Sequence, residues 1–208
     1  MNQVREKYEF KLLSLNVRGL NNRKKRRCVF RWVKRRHIDI CFLQETYCTA
    51  QVQNIWSNEW GGKTVFSNGT NHARGVAVMI KPGLDIDIID TYKDGIGRVL
   101  LVKAKVQNTM FNLLNVYAPN TEELQIPFFK SLKELMRSKI PYQENIILGG
   151  DLNVLMDITK DRKGGNFVSS AKYRETKTII QELMEEGDLR DIWRLKKSKC
   201  KEIYLETE

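Results

Sequence analysis

Apolar residues along the chain fall into short runs, and each run stops at a polar or glycine-containing break. Phe10 to Val17 (F-K-L-L-S-L-N-V) reads as a strand, with Arg18, Gly19 and Leu20 turning out of it. Between Asn22 and His37 the spacing becomes helical, and Cys28, Val29, Trp32 and Val33 are expected to share one apolar stripe. Ile38 to Leu43 is the next strand and runs into Gln44, Glu45 and Thr46. Residues 51–60 predict a short helix around Trp56. Thr64 to Phe66, Gly75 to Lys81, Leu84 to Asp90 and Arg98 to Val106 then read as strands, the third alternating weakly as a half-exposed strand does. Gly69, Pro82-Gly83 and Asp94-Gly95 supply the turns, and the spacing suggests antiparallel hairpins.

Met110 to Val116 is another apolar strand, and Pro119 stops its ladder just after Tyr117. Thr121 is expected to cap an amphipathic helix that carries Ile126, Phe129, Leu132 and Met136 and ends before Pro141. Ile146, Ile147 and Leu148 predict a buried strand stopping at a tight Gly149-Gly150 loop. Ser169 to Gly187 reads as a helix with Ile179, Ile180, Leu183 and Met184 on one face and Gly187 as its C-cap. Leu189, Ile192 and Trp193 are expected to form a packing unit. Residues 1–8 are polar and expected to be flexible, residues 9–194 form one domain, and residues 195–208 are a polar tail without clear period.

Polar residues at the ends of four of these runs carry the chemical interest. Asn16 interrupts an apolar strand, where β propensity disfavours it, so either the adjacent turn uses its amide or something else compensates it. Glu45 follows a buried strand, at the kind of edge where open α/β sheets bind ligands, or simply begins a surface loop. Tyr117 is either a core-edge tyrosine or a hydroxyl donor to a phosphate oxygen. Asp151 and Asn153 are two apart, so an extended chain turns both to one side. A strand ending on a carboxylate and an amide suits a phosphate and a divalent metal, and an Asx turn is the plainer alternative.

Composition narrows the partners. The chain has 208 residues, 41% hydrophobic, and a net charge of +11 with a pI near 9.5, which points to a polyanion. Much of the excess lies between Arg23 and Arg36, and Arg23, Lys24, Lys25, Arg26 and Arg27 are the candidate nucleic-acid contacts. A solvated helix face and a nuclear-import signal are the competing readings of that run, and the second can coexist with nucleic-acid contact. No run approaches a membrane span. Cys28, Cys41, Cys48 and Cys200 form no C-x-x-C pair, so free thiols in a reducing nuclear or cytoplasmic setting are expected, without secretion.

Taken together, L-N-V-R-G-L, F-L-Q-E-T, N-V-Y-A-P-N and G-G-D-L-N-V resemble the ordered motifs of the endonuclease/exonuclease/phosphatase superfamily. R-G-L-N-N, the basic helix, R-G-V-A-V-M-I, D-R-K-G-G-N and D-I-W-R further resemble the apurinic-endonuclease-like domain of LINE-type retrotransposons. The resemblance implies an α/β fold of the DNase I-like type: a two-sheet β-sandwich flanked by helices, with every motif residue on one rim. It implies Mg²⁺-dependent DNA nicking, with Mn²⁺ as an alternative ion. In that scheme Glu45, Asn16 and Asp151 hold the metal, Tyr117 contacts the scissile phosphate, Asp151 orients or deprotonates the attacking water, and Asn153 positions that water or the phosphate. A monomer is expected, linked in the full-length element to a reverse-transcriptase segment. The superfamily's later motifs, an aspartate following a serine and a Ser-Asp-His, have no match, so a C-terminally truncated and impaired domain with exposed strand edges is expected. Two other classes share part of this pattern: a non-catalytic nucleic-acid-binding remnant, and a phosphatase of the same superfamily.

Overall fold

The apolar runs pair into two four-stranded sheets. The first is built from β1 (Leu12–Asn16), β2 (Ile40–Gln44), β3 (Thr64–Ser67) and β4 (Val76–Ile80), in the order β1-β2-β4-β3. The second contains β5 (Asp87–Lys93), β6 (Val99–Val106), β7 (Thr109–Tyr117) and β8 (Asn145–Asp151) in sequence order. The helices are α1 (Arg23–Arg35), α2 (Gln53–Trp60), α3 (Glu122–Lys139), α4 (Ala171–Glu186) and α5 (Ile192–Lys197). The computed structural model describes residues 10–142, 144–157, 161 and 169–197, so most of the D-R-K-G-G-N run and both termini lie outside the described residues.

Both sheets are mixed. β1 runs parallel to β2, β7 runs parallel to β8, and the remaining neighbours are antiparallel, including the hairpins expected from the spacing. Parallel neighbours need a crossover, and α1 and α3 supply the two. The chain thus contains two equivalent units, β1-α1-β2 and β7-α3-β8.

Three apolar layers hold these elements together. Ile40, Phe42, Val78, Leu100, Val102 and Leu113 fill the space between the sheets. Phe30, Val33, Trp56 and Trp60 cover the outer face of the first sheet. Phe129, Leu132, Ile180 and Leu183 of α3 and α4 cover the second. Each such side chain contributes about 1.5–3 kcal/mol on burial. The exposed flank is formed by the edge strands β1 and β8, whose residues are mostly half-buried.

Three local expectations fail for physical reasons, and a fourth holds in part. The buried face of α1 is Arg26, Phe30 and Val33, whereas Cys28 is exposed and Trp32 is 40% exposed with the Arg36 guanidinium 4.6 Å from its ring. An arginine can enter that face because a carboxylate meets it there. β5 begins at Asp87, because Ile86 turns into the core and a bulge between Ile88 and Asp90 resets the register with β6. Gly149 and Gly150 form no loop: β8 runs through both to Asp151. They are required because a Cβ at Gly149 would lie 2.6 Å from the Phe42 ring and one at Gly150 would lie 2.0 Å from the Val116 carbonyl oxygen. Of the expected packing unit, Leu189 packs against the layer under α3 and α4, Ile192 is 57% exposed, and the Trp193 side chain lies outside the described residues.

Candidate active site

Parallel strands finish at the same edge of their sheet, so each βαβ unit brings two chain ends together. In the first, Asn16 is registered against Gln44, which places Glu45 one residue beyond it. In the second, Tyr117 is registered against Asp151. The sandwich then sets the two edges side by side, and Asn16 joins them. Its amide nitrogen donates to Glu45 Oε1 at 2.8 Å and to Asp151 Oδ2 at 2.9 Å, spanning the two sheets. Its amide oxygen accepts from the Arg18 backbone N–H at 3.1 Å. Asn16 therefore satisfies the adjacent turn and the carboxylates at once.

Glu45 is the most heavily bonded group of the site. Besides Asn16, it accepts from the Tyr47 hydroxyl at 3.0 Å and from the Tyr117 hydroxyl. Burial alone would push its carboxyl up, but these hydrogen bonds and the nearby Arg18 charge outweigh burial and hold it below the usual glutamate value. Burial, the hydrogen bond to Glu45 and the Glu45 charge together push the Tyr117 phenol up to about 12, so it stays a proton donor at neutral pH. Asp151 makes the Asx turn too, accepting from the Asn153 N–H at 3.2 Å. The Asn153 amide donates to Ala118 O at 2.8 Å and Asn120 Oδ1 at 2.9 Å, which fixes the loop leaving Tyr117.

A buried polar bridge sets the two sheets against each other just behind these groups. Gln44 Nε2 donates to Asn115 Oδ1 at 2.7 Å and to Ser14 Oγ at 3.2 Å. Asn115 Nδ2 donates to Leu43 O and Ala77 O at 3.0 and 2.8 Å. The rim is also where the backbone is least relaxed: Arg18, Glu45, Tyr47, Arg74 and Asn153 all have φ between +46° and +64°. Sequence reasoning missed Gln44, Asn115, Arg18, Tyr47, Arg74 and Arg98. Gln44 and Asn115 carry the same signal as Asn16, a polar residue inside an apolar run. Nothing in the sequence marked the other four, which converge from separate loops.

The Asn16 amide divides the hollow at the rim. On one side, Ser14, Asn16, Gln44, Asp151 and Asn153 line a cavity of about 560 Å³. On the other, Glu45, Tyr47, Arg74, Arg98 and Tyr117 line one of about 300 Å³. Glu45 and Asp151 offer hard carboxylate oxygens, and Asn16 bridges them through its nitrogen while its oxygen accepts from the Arg18 N–H. Among the described residues, no group of three or more His, Cys, Asp or Glu side chains could hold a metal ion. Two carboxylates completed by water and phosphate oxygens suit Mg²⁺.

The basic run splits in two. Arg23, Lys24, Lys25 and Arg27 are exposed, and the Lys25 ammonium reaches Arg18 O at 3.0 Å, so the first turn of α1 sits beside the rim. Arg26 is 5% exposed. Its guanidinium is paired in bidentate fashion with Glu59 at 2.7 and 3.0 Å, donates to Leu20 O and lies 4.9 Å from the Trp56 ring. It therefore anchors α1 to α2 and is unavailable to a phosphate.

Over 181 residues the chain is 29% identical to the transposon TX1 uncharacterized 149 kDa protein of Xenopus laevis, covering 87% of this chain and 13% of that protein. It therefore spans a small part of that relative. An AP endonuclease from Leishmania major superposes with a TM-score of 0.72 at 20% identity, over 94% of this chain and 72% of that one. An AP endonuclease from Archaeoglobus fulgidus gives 0.65 at 20% identity, over 84% and 71%. At that identity the likeness shows the fold. The sequence profile of the endonuclease/exonuclease/phosphatase family matches residues 13–171, a span that contains Asn16, Glu45, Tyr117, Asp151 and Asn153, and the chain belongs to that family.

Proposed function

We propose that the chain is a Mg²⁺-dependent DNA endonuclease domain of a LINE-type retrotransposon. The observation that carries the reading is the Asn16 amide held between Glu45 and Asp151, one carboxylate from each sheet. Structural carboxylates pair with cations, whereas two of them brought together across one amide form a cation seat. Mg²⁺ on those oxygens would supply positive charge against the phosphate and the leaving oxygen. Asp151 orients a water for in-line attack and takes its proton. The Tyr117 phenol, kept protonated, turns from Glu45 to a phosphate oxygen as the substrate enters. Asn153 holds the loop that aims Tyr117, and Asn16 fixes the spacing of the carboxylates.

DNA is the substrate because the exposed cations of α1 begin beside this rim and the chain carries +11 overall. The much larger TX1 relative supports a domain that works beside others, and a reverse transcriptase is the neighbour that the sequence resemblance implies. Neither His37 nor His72 lines either half of the hollow, and an imidazole is the group this chemistry most often adds to hold the phosphate. Absence of one catalytic group typically costs orders of magnitude in rate. Slow nicking by a monomer of 208 residues is therefore expected.

Supercoiled plasmid with Mg²⁺ tests the reading. Slow nicking that requires the ion and disappears in Glu45→Ala and in Asp151→Ala supports it. Nicking that persists in EDTA, or in both variants, overturns it. The exposed basic α1 favours one second reading, a nucleic-acid-binding remnant. Binding that weakens steeply with salt but ignores Mg²⁺ and Asp151→Asn, without nicking, would select it.

A further inference from the structure

The outer face of α1 lies away from the hollow and carries more than charge. Its exposed residues form two adjacent rows at four-residue spacing. Arg23, Arg27, Arg31 and Arg35 make one row, and Lys24, Cys28, Trp32 and Arg36 make the other. None of them lines either half of the hollow. Arg23, Arg27 and Arg31 instead border a separate groove of about 310 Å³ with Phe30, Lys34 and Glu59. Glu59 is taken by Arg26 at 2.7 and 3.0 Å and by Arg23 at 3.5 Å. Among the described residues no other cation of the two rows pairs with a carboxylate. The second row sets an aromatic ring among these charges. Trp56 and Trp60 are buried in the core beneath, at 2% and 1% exposure, whereas Trp32 keeps 40% of its surface in solvent. The Arg36 guanidinium lies 4.6 Å from the centre of its ring. Phosphates alone account for the arginines but give an exposed indole nothing to do. In a duplex the base faces are already covered by their neighbours, whereas an unpaired strand offers both phosphates and free base faces, the combination that basic grooves with aromatic platforms hold.

We propose that this face of α1 is a second binding site, for an unpaired stretch of DNA strand. Its phosphates follow the arginine row and the groove beside it, and one base stacks on Trp32 and extends the Trp32–Arg36 pair. The face begins next to the rim, where the Lys25 ammonium reaches Arg18 O at 3.0 Å. Trp32 stands seven residues further on, about 10 Å along the helix axis. A strand that comes unpaired at the rim thus has a track leading away from it. DNA as the occupant rests on the endonuclease reading, whereas the preference for an unpaired strand rests on Trp32.

The test compares fluorescent oligo(dT), oligo(U) and a DNA duplex of the same length, in EDTA, by anisotropy across a salt series. Trp32→Ala is expected to weaken oligo(dT) binding about tenfold and to leave duplex binding as it was. Its salt slope should not change, because no charge is lost, whereas Arg31→Gln should lower the oligo(dT) slope by about 0.7. Trp32→Tyr keeps a ring to stack on and should retain most of the affinity, with unchanged urea midpoints as the folding check. If Trp32→Ala leaves oligo(dT) binding unchanged, or weakens oligo(dT) and duplex alike, the strand site is wrong, and Mg²⁺-dependent nicking of plasmid by wild type keeps the nuclease reading in place. If wild type never nicks but oligo(dT) binding depends on Trp32, the nuclease reading falls and the strand site stands. Tighter, Trp32-dependent binding of oligo(U) would overturn DNA as the occupant.

Discussion

The two βαβ units are built alike and finished differently. Each pairs parallel strands, crosses over through one helix, and ends with two polar groups at the same rim. The crossover helix of the second unit, α3, is sealed by α4. Lys130, Lys133 and Arg137 meet Glu175, Glu182 and Glu186 at 2.7–3.3 Å, and Glu123 meets Lys172 at 3.0 Å. The crossover helix of the first, α1, has no such cover. Among the described residues its cations meet one carboxylate, Glu59. Arg23, Arg27, Arg31 and Arg35 repeat at four-residue spacing, where like charges destabilise a helix by about 0.2–0.5 kcal/mol per pair. The difference teaches that strand pairing alone assembles the site. The charge of the crossover helix is a separate choice, and on α1 it is left uncompensated where a polyanion can neutralise it.

The comparison is most easily broken at Arg26, the cation of α1 that behaves like those of α3. Arg26→Met leaves Glu59 with only the longer Arg23 pair at 3.5 Å and should cost about 2 kcal/mol, read as a lower urea midpoint. A loss too small to measure would make Arg26 one more surface cation. The pH dependence has a definite sign. Hydrogen bonds from Arg26 hold the Glu59 carboxyl below its ordinary value of 4.5, so its contribution is full above that value and is lost as pH falls through the lower folded one. Glu59→Gln should be less stable than wild type at pH 7, and the gap should close on acidification.

The exposed cations sharpen it next. Lys24, Arg27 and Arg31 all face solvent. Replacing the three with glutamine should lower the salt slope of DNA binding by up to about three, with folding stability unchanged or slightly raised. Neutralising Lys130 and Lys172, on the sealed unit, should leave the slope where it was. Equal losses from both helices would mean that net charge, and not its placement, drives binding.

What the sequence made legible follows the same division. Strand ends were readable because an apolar run stopping at Asn16, Glu45, Tyr117 or Asp151 is a local signal, and parallel crossovers convert such ends into neighbours. The βαβ pairing itself was not read: hairpin spacing dominated, and the two parallel pairs were hidden behind helices. The face of α1 was misjudged because a hydrophobicity pattern cannot see that Arg26 brings its own counter-ion from α2. Gly149-Gly150 looked like a loop because the close approach of Phe42 and Val116, which demands glycine inside a strand, belongs to another layer. Arg74 and Arg98 were invisible for the same reason. Each sits in a loop, and only the weave of the loops, with Gly75 N–H on Gly97 O at 2.9 Å, brings them together.

The smallest effect tests whether α4 is held by charge at all. Lys133 ion-pairs with both Glu182 and Glu186, yet those carboxylates are 49% and 40% exposed, and exposed pairs contribute little once side-chain entropy and salt are counted. The apolar contacts of Phe129, Leu132, Ile180 and Leu183 are then what fasten α4 to the sheet. Lys133→Gln should barely move the urea midpoint, and 1 M salt should erase even that difference, whereas Leu183→Ala should move it far. If the lysine variant proves the more damaging of the two, the sealed unit is closed by ion pairs, and the contrast with α1 becomes one of partner charge alone.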